Sequence, residues 1–254
     1  MTFTFVKLRV CLAFVGLILL PRASFVTLAQ SPAIGNDRVA WVLFVDDLHL
    51  DFRNTGRVID LLRTVLNDVV REEDLAAIRT SGPSTVLTDF SNRWQLLPLV
   101  RKLSGGGLKR TEILTIGKPA GPNELNNPNE MSNRTRLALS SATAAVALLG
   151  EVESSRRAML YISNGHPFDM DGFIETRALA GLARQDDVKI FAIDAASLDP
   201  ASSAPATSDP AWEAHTAAAR HSLSLLAERT GGFAILEVAD IPAALQRISN
   251  SIRQ

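Results

Sequence analysis

From Val39 to Val45 the chain reads VAWVLFV, with no polar side chain, and then stops at Asp46-Asp47. An apolar, β-branched run of that length predicts a strand covered on both faces. Behind it Val58, Leu61, Leu62, Val65, Leu66 and Val69 recur at three- and four-residue spacing. That spacing predicts an amphipathic helix over 54–70, capped by Asn54 or Thr55. Leu75 to Thr80 predicts a second strand and Ser81 to Ser84 a turn, after which Thr85 to Phe90 folds back as an antiparallel edge strand. Residues 92–103 predict a helix with Trp94, Leu97, Val100 and Leu103 inward. The periodicity then fails from Ser104 to Ser132, where Gly, Pro and Asn dominate and residues 105–107 are all glycine. Irregular stretches of this length are usually functional or disordered.

The second half alternates more regularly. An Ala-rich helix over 134–150 precedes a strand at Arg157 to Ser163, a helix over 173–185 and a strand at Val188 to Asp194. A Pro/Ser/Ala loop over 195–210 leads to a helix over 211–229, a strand over 233–237 and a last helix over 240–252. Alternation of this kind predicts an α/β fold: a doubly wound, mostly parallel central sheet with helices on both faces and one antiparallel edge strand. Ligands of such sheets sit at the carboxyl ends of the strands. That edge collects Asp46, Asp47 and His49, then Ser163, Asn164 and Gly165, then Asp194.

The first thirty residues change the picture of where the domain begins. Lys7 and Arg9 precede an apolar run from Val10 to Leu20, then Pro21 and a mixed stretch ending at Thr27-Leu28-Ala29. This predicts a secretory signal over 1–29, or an uncleaved anchor, followed by a short linker over 30–37 and one domain over 38–254. The protein is then exported, periplasmic or secreted. The single cysteine, Cys11, falls inside the signal, so a mature chain has no disulfide, thiolate nucleophile or cysteine-ligated zinc. The 26 Lys plus Arg nearly cancel 27 Asp plus Glu, which gives no overall field to attract nucleic acid. With 46% apolar residues the chain can bury a substantial core.

Four features in order now carry a resemblance: the apolar strand ending in Asp46-Asp47, Ser163-Asn164-Gly165, FAIDAASL at 191–198, and LAERTGGFAIL at 226–236. Over roughly residues 38–253 the sequence resembles the von Willebrand factor A domain, and within it the divergent bacterial VWFA-related subgroup common in acidobacteria. The resemblance implies a metal-ion-dependent adhesion site, in which Asp-x-Ser-x-Ser, a Thr from a second loop and an Asp from Thr-Asp-Gly hold Mg²⁺. This chain departs from each part. Read from Asp46, the first motif is Asp-Asp-Leu-His-Leu. Read from Asp47, it places Asp47, His49 and Asp51 at alternate positions. Thr135 is the candidate for the second-loop Thr, and Asn164 replaces the last Asp.

The resemblance therefore implies a degenerate metal site at Asp47, His49, Asp51, Thr135 and Asn164, with Mg²⁺ or Mn²⁺ as the candidate divalent cation. It also implies a protein or peptide partner, met by Asp46, Asp47, His49, Asn164 and His166. On the residues alone, Asp46 or Asp47 can equally accept backbone N–H groups in the loop, Asp194 can tie down its own loop, and His166, His215 and His221 read as surface residues. Three functions follow: a non-enzymatic interaction module, a metal-independent structural domain, or a hydrolase using the acidic pair. No base and nucleophile are paired in the sequence, and Gly105 to Gly107 lacks the Lys-Ser/Thr of a phosphate loop.

Overall fold

Seven apolar residues in a row can be buried only if both faces of a strand are covered, and β1 (Val39–Val45) is buried along its whole length. In the computed structural model, which describes residues 38–116, 129–167, 170–198, 209–237 and 240–254, β1 lies inside a five-stranded sheet. Its companions are β2 (Leu75–Thr80), β3 (Arg156–Ser163), β4 (Val188–Asp194) and β5 (Ala234–Ile235), in the order β2-β1-β3-β4-β5. Every pairing is parallel. The strand order reverses between β1 and β3, so a crevice opens at their carboxyl ends.

Alternate residues of β1 face opposite cores. Trp41, Leu43 and Val45 pack with α1 (Thr55–Thr64) and α7 (Ile241–Arg253), through Val58, Leu62, Leu245 and Ile248. Ala40, Val42 and Phe44 pack beneath α4 (Glu130–Gly150), α5 (Met170–Gln185) and α6 (Pro210–Arg229). The buried stripe of α4 is Thr135, Ala138, Leu139, Ala142, Ala145, Val146 and Leu149. Its small side chains let the helix sit close to the sheet and to α5. Asp209 and Asp240 cap α6 and α7 by accepting from the N–H groups of Ala211 and Ala243, each with a proline in the first turn.

The far edge of the sheet is latched by Asp74. Its buried carboxylate accepts from the Val39 N–H, the Trp41 indole, the Arg71 N–H and the guanidinium of Arg253 near the end of α7. One acidic side chain thereby fastens the last helix to the start of the first strand.

Several elements differ from the sequence reading. The antiparallel edge strand over Thr85 to Phe90 does not form: Ala76 bridges Ser91 and Arg79 bridges Leu87, two contacts out of register by one residue. A slip of that size prevents a continuous ladder. The helix expected over 92–103 splits at Pro98 into α2 (Arg93–Leu96) and a 3₁₀ turn at Leu99–Lys102. The split rotates the inward face, so Leu96 is buried while Trp94 is exposed beneath the Arg93 guanidinium. A short α3 (Arg110–Thr115) forms inside the stretch read as irregular, where Glu112 accepts from the N–H of Lys109. The helix from α1 ends in a π turn at Val65–Val69. No helix among the described residues is long and apolar enough to cross a membrane. The signal expected over 1–29 and the 30–37 linker lie outside the described residues.

Candidate functional site at the carboxyl edge of the sheet

Asp46 is the first residue beyond β1, and its N–H continues the β1–β3 ladder by donating to Ile162 O at 2.9 Å. Its carboxylate is wholly buried and gathers four donors. Ser81 Oγ reaches Oδ1 at 2.8 Å. His49 Nδ1 and Ser163 Oγ each reach Oδ2 at 2.8 Å, and the Tyr161 hydroxyl reaches it at 3.3 Å. Burial alone would push Asp46 up, but the His49 charge and the hydrogen bonds from His49, Ser163 and Ser81 outweigh it and bring the pKa down to about 2. Burial and the neighbouring Asp46 charge hold Tyr161 well above its ordinary value. Tyr161 is stacked on Phe44, its register partner, with ring centroids 5.1 Å apart.

The next carboxylate does different work. Asp47 accepts from the N–H groups of Gly82 and Ser84, each at 2.7 Å, and its Oδ1 lies 3.0 Å from Ser81 Oγ. It therefore fixes the turn after β2. The backbone of 47–51 is held from the other side by the triple glycine, for Gly106 N donates to Asp47 O and Gly107 N to Leu50 O. A Cβ on Gly105 would stand 2.4 Å from Leu50 O, so this approach requires glycine. Arg134 of α4 completes the brace by donating to Leu48 O and Gly106 O.

After Asp46 the chain turns helically, with the N–H groups of His49 and Leu50 both donating to Asp46 O. Asp46 and His49 thus come together, whereas the alternate positions Asp47, His49 and Asp51 point apart. Asp51 caps the following 3₁₀ turn through the N–H of Arg53 and pairs with its guanidinium. Thr135 is buried on α4. His166, expected at the surface, is buried, because its loop is drawn under α6 by an N–H bond to Ser222. Its ring lies 5.8 Å from that of His49.

Among the buried polar atoms of this region, His49 Nε2 and Asn164 Oδ1 have no hydrogen-bond partner. Ionised Asp46 can only accept, so its bond fixes a proton on His49 Nδ1 and turns Nε2 toward an outside partner. Both residues line a cavity of about 430 Å³. Gly165, with φ of +75°, shapes its floor; a Cβ there would stand 2.3 Å from Ala219 O. Asp194 joins from the end of β4, accepting from the N–H of Ala196 and pairing with Arg220 at 2.9 Å. Burial raises the Asp194 pKa against the pull of Arg220. Asp194 ties down its own loop, as the sequence allowed, and lines the cavity as well.

The remaining wall was not legible in the sequence. His215, read as a surface residue, is half-buried against the Trp212 ring, with centroids 5.2 Å apart. Burial and the nearby charge of His49 lower its pKa. Arg110 lies over the other contact of Trp212, 5.2 Å from its centroid. The sequence placed a helix over 211–229, within one residue of the start of α6 at Pro210, but not its packing against this site. Nothing in the periodicity brings α3 against it.

The residues present do not fit the divalent ion that the family resemblance implies. Such an ion needs oxygens with free lone pairs. Asp46 accepts from His49, Ser163 and Tyr161, Asp47 from the N–H groups of Gly82 and Ser84, the one Ser81 hydroxyl proton lies between the two carboxylates, and Asp51 faces Arg53. Among the described residues no three His, Cys, Asp or Glu side chains converge as an ion site would require.

No protein family model matches the chain, and no curated protein matches it. Among solved structures it is similar to an aerotolerance-related membrane protein from Bacteroides fragilis NCTC 9343, crystallised with multiple mutations to serines. The two share 12% identity over 85% of this chain and 98% of that one, with a TM-score of 0.51. It is also similar to the conserved hypothetical protein BatB from Bacteroides thetaiotaomicron, at 14% identity over 85% and 96% with a TM-score of 0.46. The D319A mutant of the PilB minor pilin from Streptococcus sanguinis gives 10%, 88%, 63% and 0.46. The topology and the first likeness define a doubly wound α/β protein of von Willebrand factor A-like, Rossmann-like fold. Likeness at this identity extends to the fold alone.

Proposed function

We propose that the chain is an exported interaction module of the divergent bacterial VWFA-related kind, which binds a protein or peptide partner at the carboxyl edge of its sheet. The observation that carries this reading is the cavity at the β1/β3 switch point, with His49 Nε2 and Asn164 Oδ1 buried at its wall and lacking hydrogen bonds. Buried polar groups without partners are costly, and a ligand that satisfies them gains that energy back. The signal-like N-terminus supports an extracytoplasmic setting, and the membrane origin of the B. fragilis neighbour is in keeping with it.

A hydrolytic reading is less well supported. The hydroxyls of Ser81 and Ser163 donate to Asp46, which leaves neither poised on His49 as a nucleophile would be. The test is selection of a displayed random-peptide library on the immobilised full chain, with Thr216→Trp as the cavity-filling control. Thr216 lines the cavity from within α6. Peptides that bind the native chain and lose binding to Thr216→Trp, at unchanged melting temperature, are expected. Peptides held equally by both proteins would place recognition elsewhere, and an empty selection would leave the structural-domain reading in its place.

A further inference from the structure

The wall of the cavity carries four arginines, Arg53, Arg110, Arg134 and Arg220, against two aspartates, Asp51 and Asp194. Each arginine is already oriented. Arg220 is held by Asp194, Arg134 by Glu130 and two backbone carbonyls, Arg53 by Asp51, and Arg110 by Trp212 with Asp209 3.8 Å away. A guanidinium has five N–H donors in a fixed fork, so one carboxylate neighbour leaves donors on Arg110 and Arg220 for a second acceptor. Beneath them His49, its side chain only 6% exposed, is tethered by Nδ1 to ionised Asp46 and has no partner on Nε2.

Resting on the function proposed above, we infer that the occupant is a side-chain carboxylate of an acidic peptide, bound directly by His49 Nε2 and the surrounding arginines with no metal ion between. The geometry supplies a relay of alternating charge. Asp46 is fixed as the anion behind the ring by Ser81, Ser163 and Tyr161. An arriving carboxylate in front of the ring completes the pair of anions that an imidazolium bridges. The Nε2–H of that imidazolium donates to the carboxylate. The other charged or titratable groups around His49 are His166 at 5.8 Å between ring centroids, His215, the Asp51–Arg53 and Asp194–Arg220 pairs, and Arg134. The two histidines oppose a second positive charge, and Asp51, Asp194, Glu130 and Asp209 each offset the charge of one arginine, so the arginines act on the ligand through their remaining N–H donors. The apolar side of the same cavity, with Leu108, Ile113, Met131 and Trp212, fits a hydrophobic residue next to the acidic one.

The probe is acetyl-Glu-Leu-Glu-amide, titrated into the full chain with EDTA present and followed by the ring ¹⁵N resonances of the histidines. Acetyl-Gln-Leu-Gln-amide is the neutral control. Saturable binding of the Glu peptide is expected, with the His49 ring ¹⁵N resonances moving along the titration and those of His221 staying in place. His49→Gln and Arg110→Gln should each weaken it by about tenfold or more, as loss of one member of a desolvated charge pair does. Equal binding of the Gln peptide, binding that needs added Mg²⁺ or Mn²⁺, or no binding of the Glu peptide would each overturn the inference. The underlying function survives those results where library peptides are still lost in Thr216→Trp, and it fails where no peptide of any charge is held.

Discussion

Asp46 shows how a single carboxylate can be both structural and functional. Four donors converge on it at the end of a buried strand, so replacing it with Asn removes the charge and sets an amide N–H₂ against donors. Asp46→Asn should destabilise the domain by about 3 kcal/mol, read from urea unfolding. Because its pKa of about 2 lies below the ordinary 3.8, ionised Asp46 adds stability above pH 4, and that share is lost as pH falls toward 2. The shift corresponds to about 2 kcal/mol, which should appear in the native chain's acid unfolding curve and be missing from that of Asp46→Asn. The sequence displayed the acidic pair but not the division of labour within it. Alternate spacing places side chains together only on an extended strand, and here the chain turns helically after Asp46. The pairing of residues three apart follows from that turn, and so does the failure of Asp47, His49 and Asp51 to converge.

Whole elements were legible where burial on both faces dictated composition. β1, β2 and β4 have the bounds that their apolar runs suggested, and α4 begins only four residues before its expected start. Legibility was lost where isolated contacts replace a repeating pattern. The 85–90 segment is pinned by Thr88, whose N–H and hydroxyl both bond to Ile78, rather than by a ladder. The burial of His166 and the cavity wall made by His215 depend on how distant loops stack, which no local period encodes. Two predictions belong at this scale. Gly165→Ala must force a left-handed residue and a carbonyl contact at 2.3 Å, so a loss of about 2 kcal/mol is expected in thermal unfolding, with peptide binding lost as the loop shifts. Asp74→Ala should remove the carboxylate that pairs with the Arg253 guanidinium and leave its buried charge uncompensated. That predicts a loss of about 3 kcal/mol and faster amide exchange along α7, while the carboxyl edge keeps its protection.

At the scale of the molecule, the parallel sheet separates stability from recognition. The Asp74 latch closes one end, and the switch point at the other brings together loops after β1, β3 and β4 with the start of α6. The carboxylates of Asp46, Asp47 and Asp51 are here satisfied by the protein itself, and an imidazole stands at the cavity wall with one nitrogen unpaired. The family resemblance pointed to this edge. What it implied about an ion does not fit the hydrogen-bond geometry: Ser163, which the sequence placed at this edge, donates to Asp46, as do Tyr161 of β3 and Ser81 just after β2, which sequence spacing did not place beside it. The most direct test of recognition at this edge is hydrogen–deuterium exchange on the full chain with and without a library-selected peptide. Protection confined to residues 47–55, 164–167, 194–198 and 210–220 is the predicted result. Protection centred on the opposite edge, around residues 71–75 and 250–254, or none at the cavity, would contradict the account.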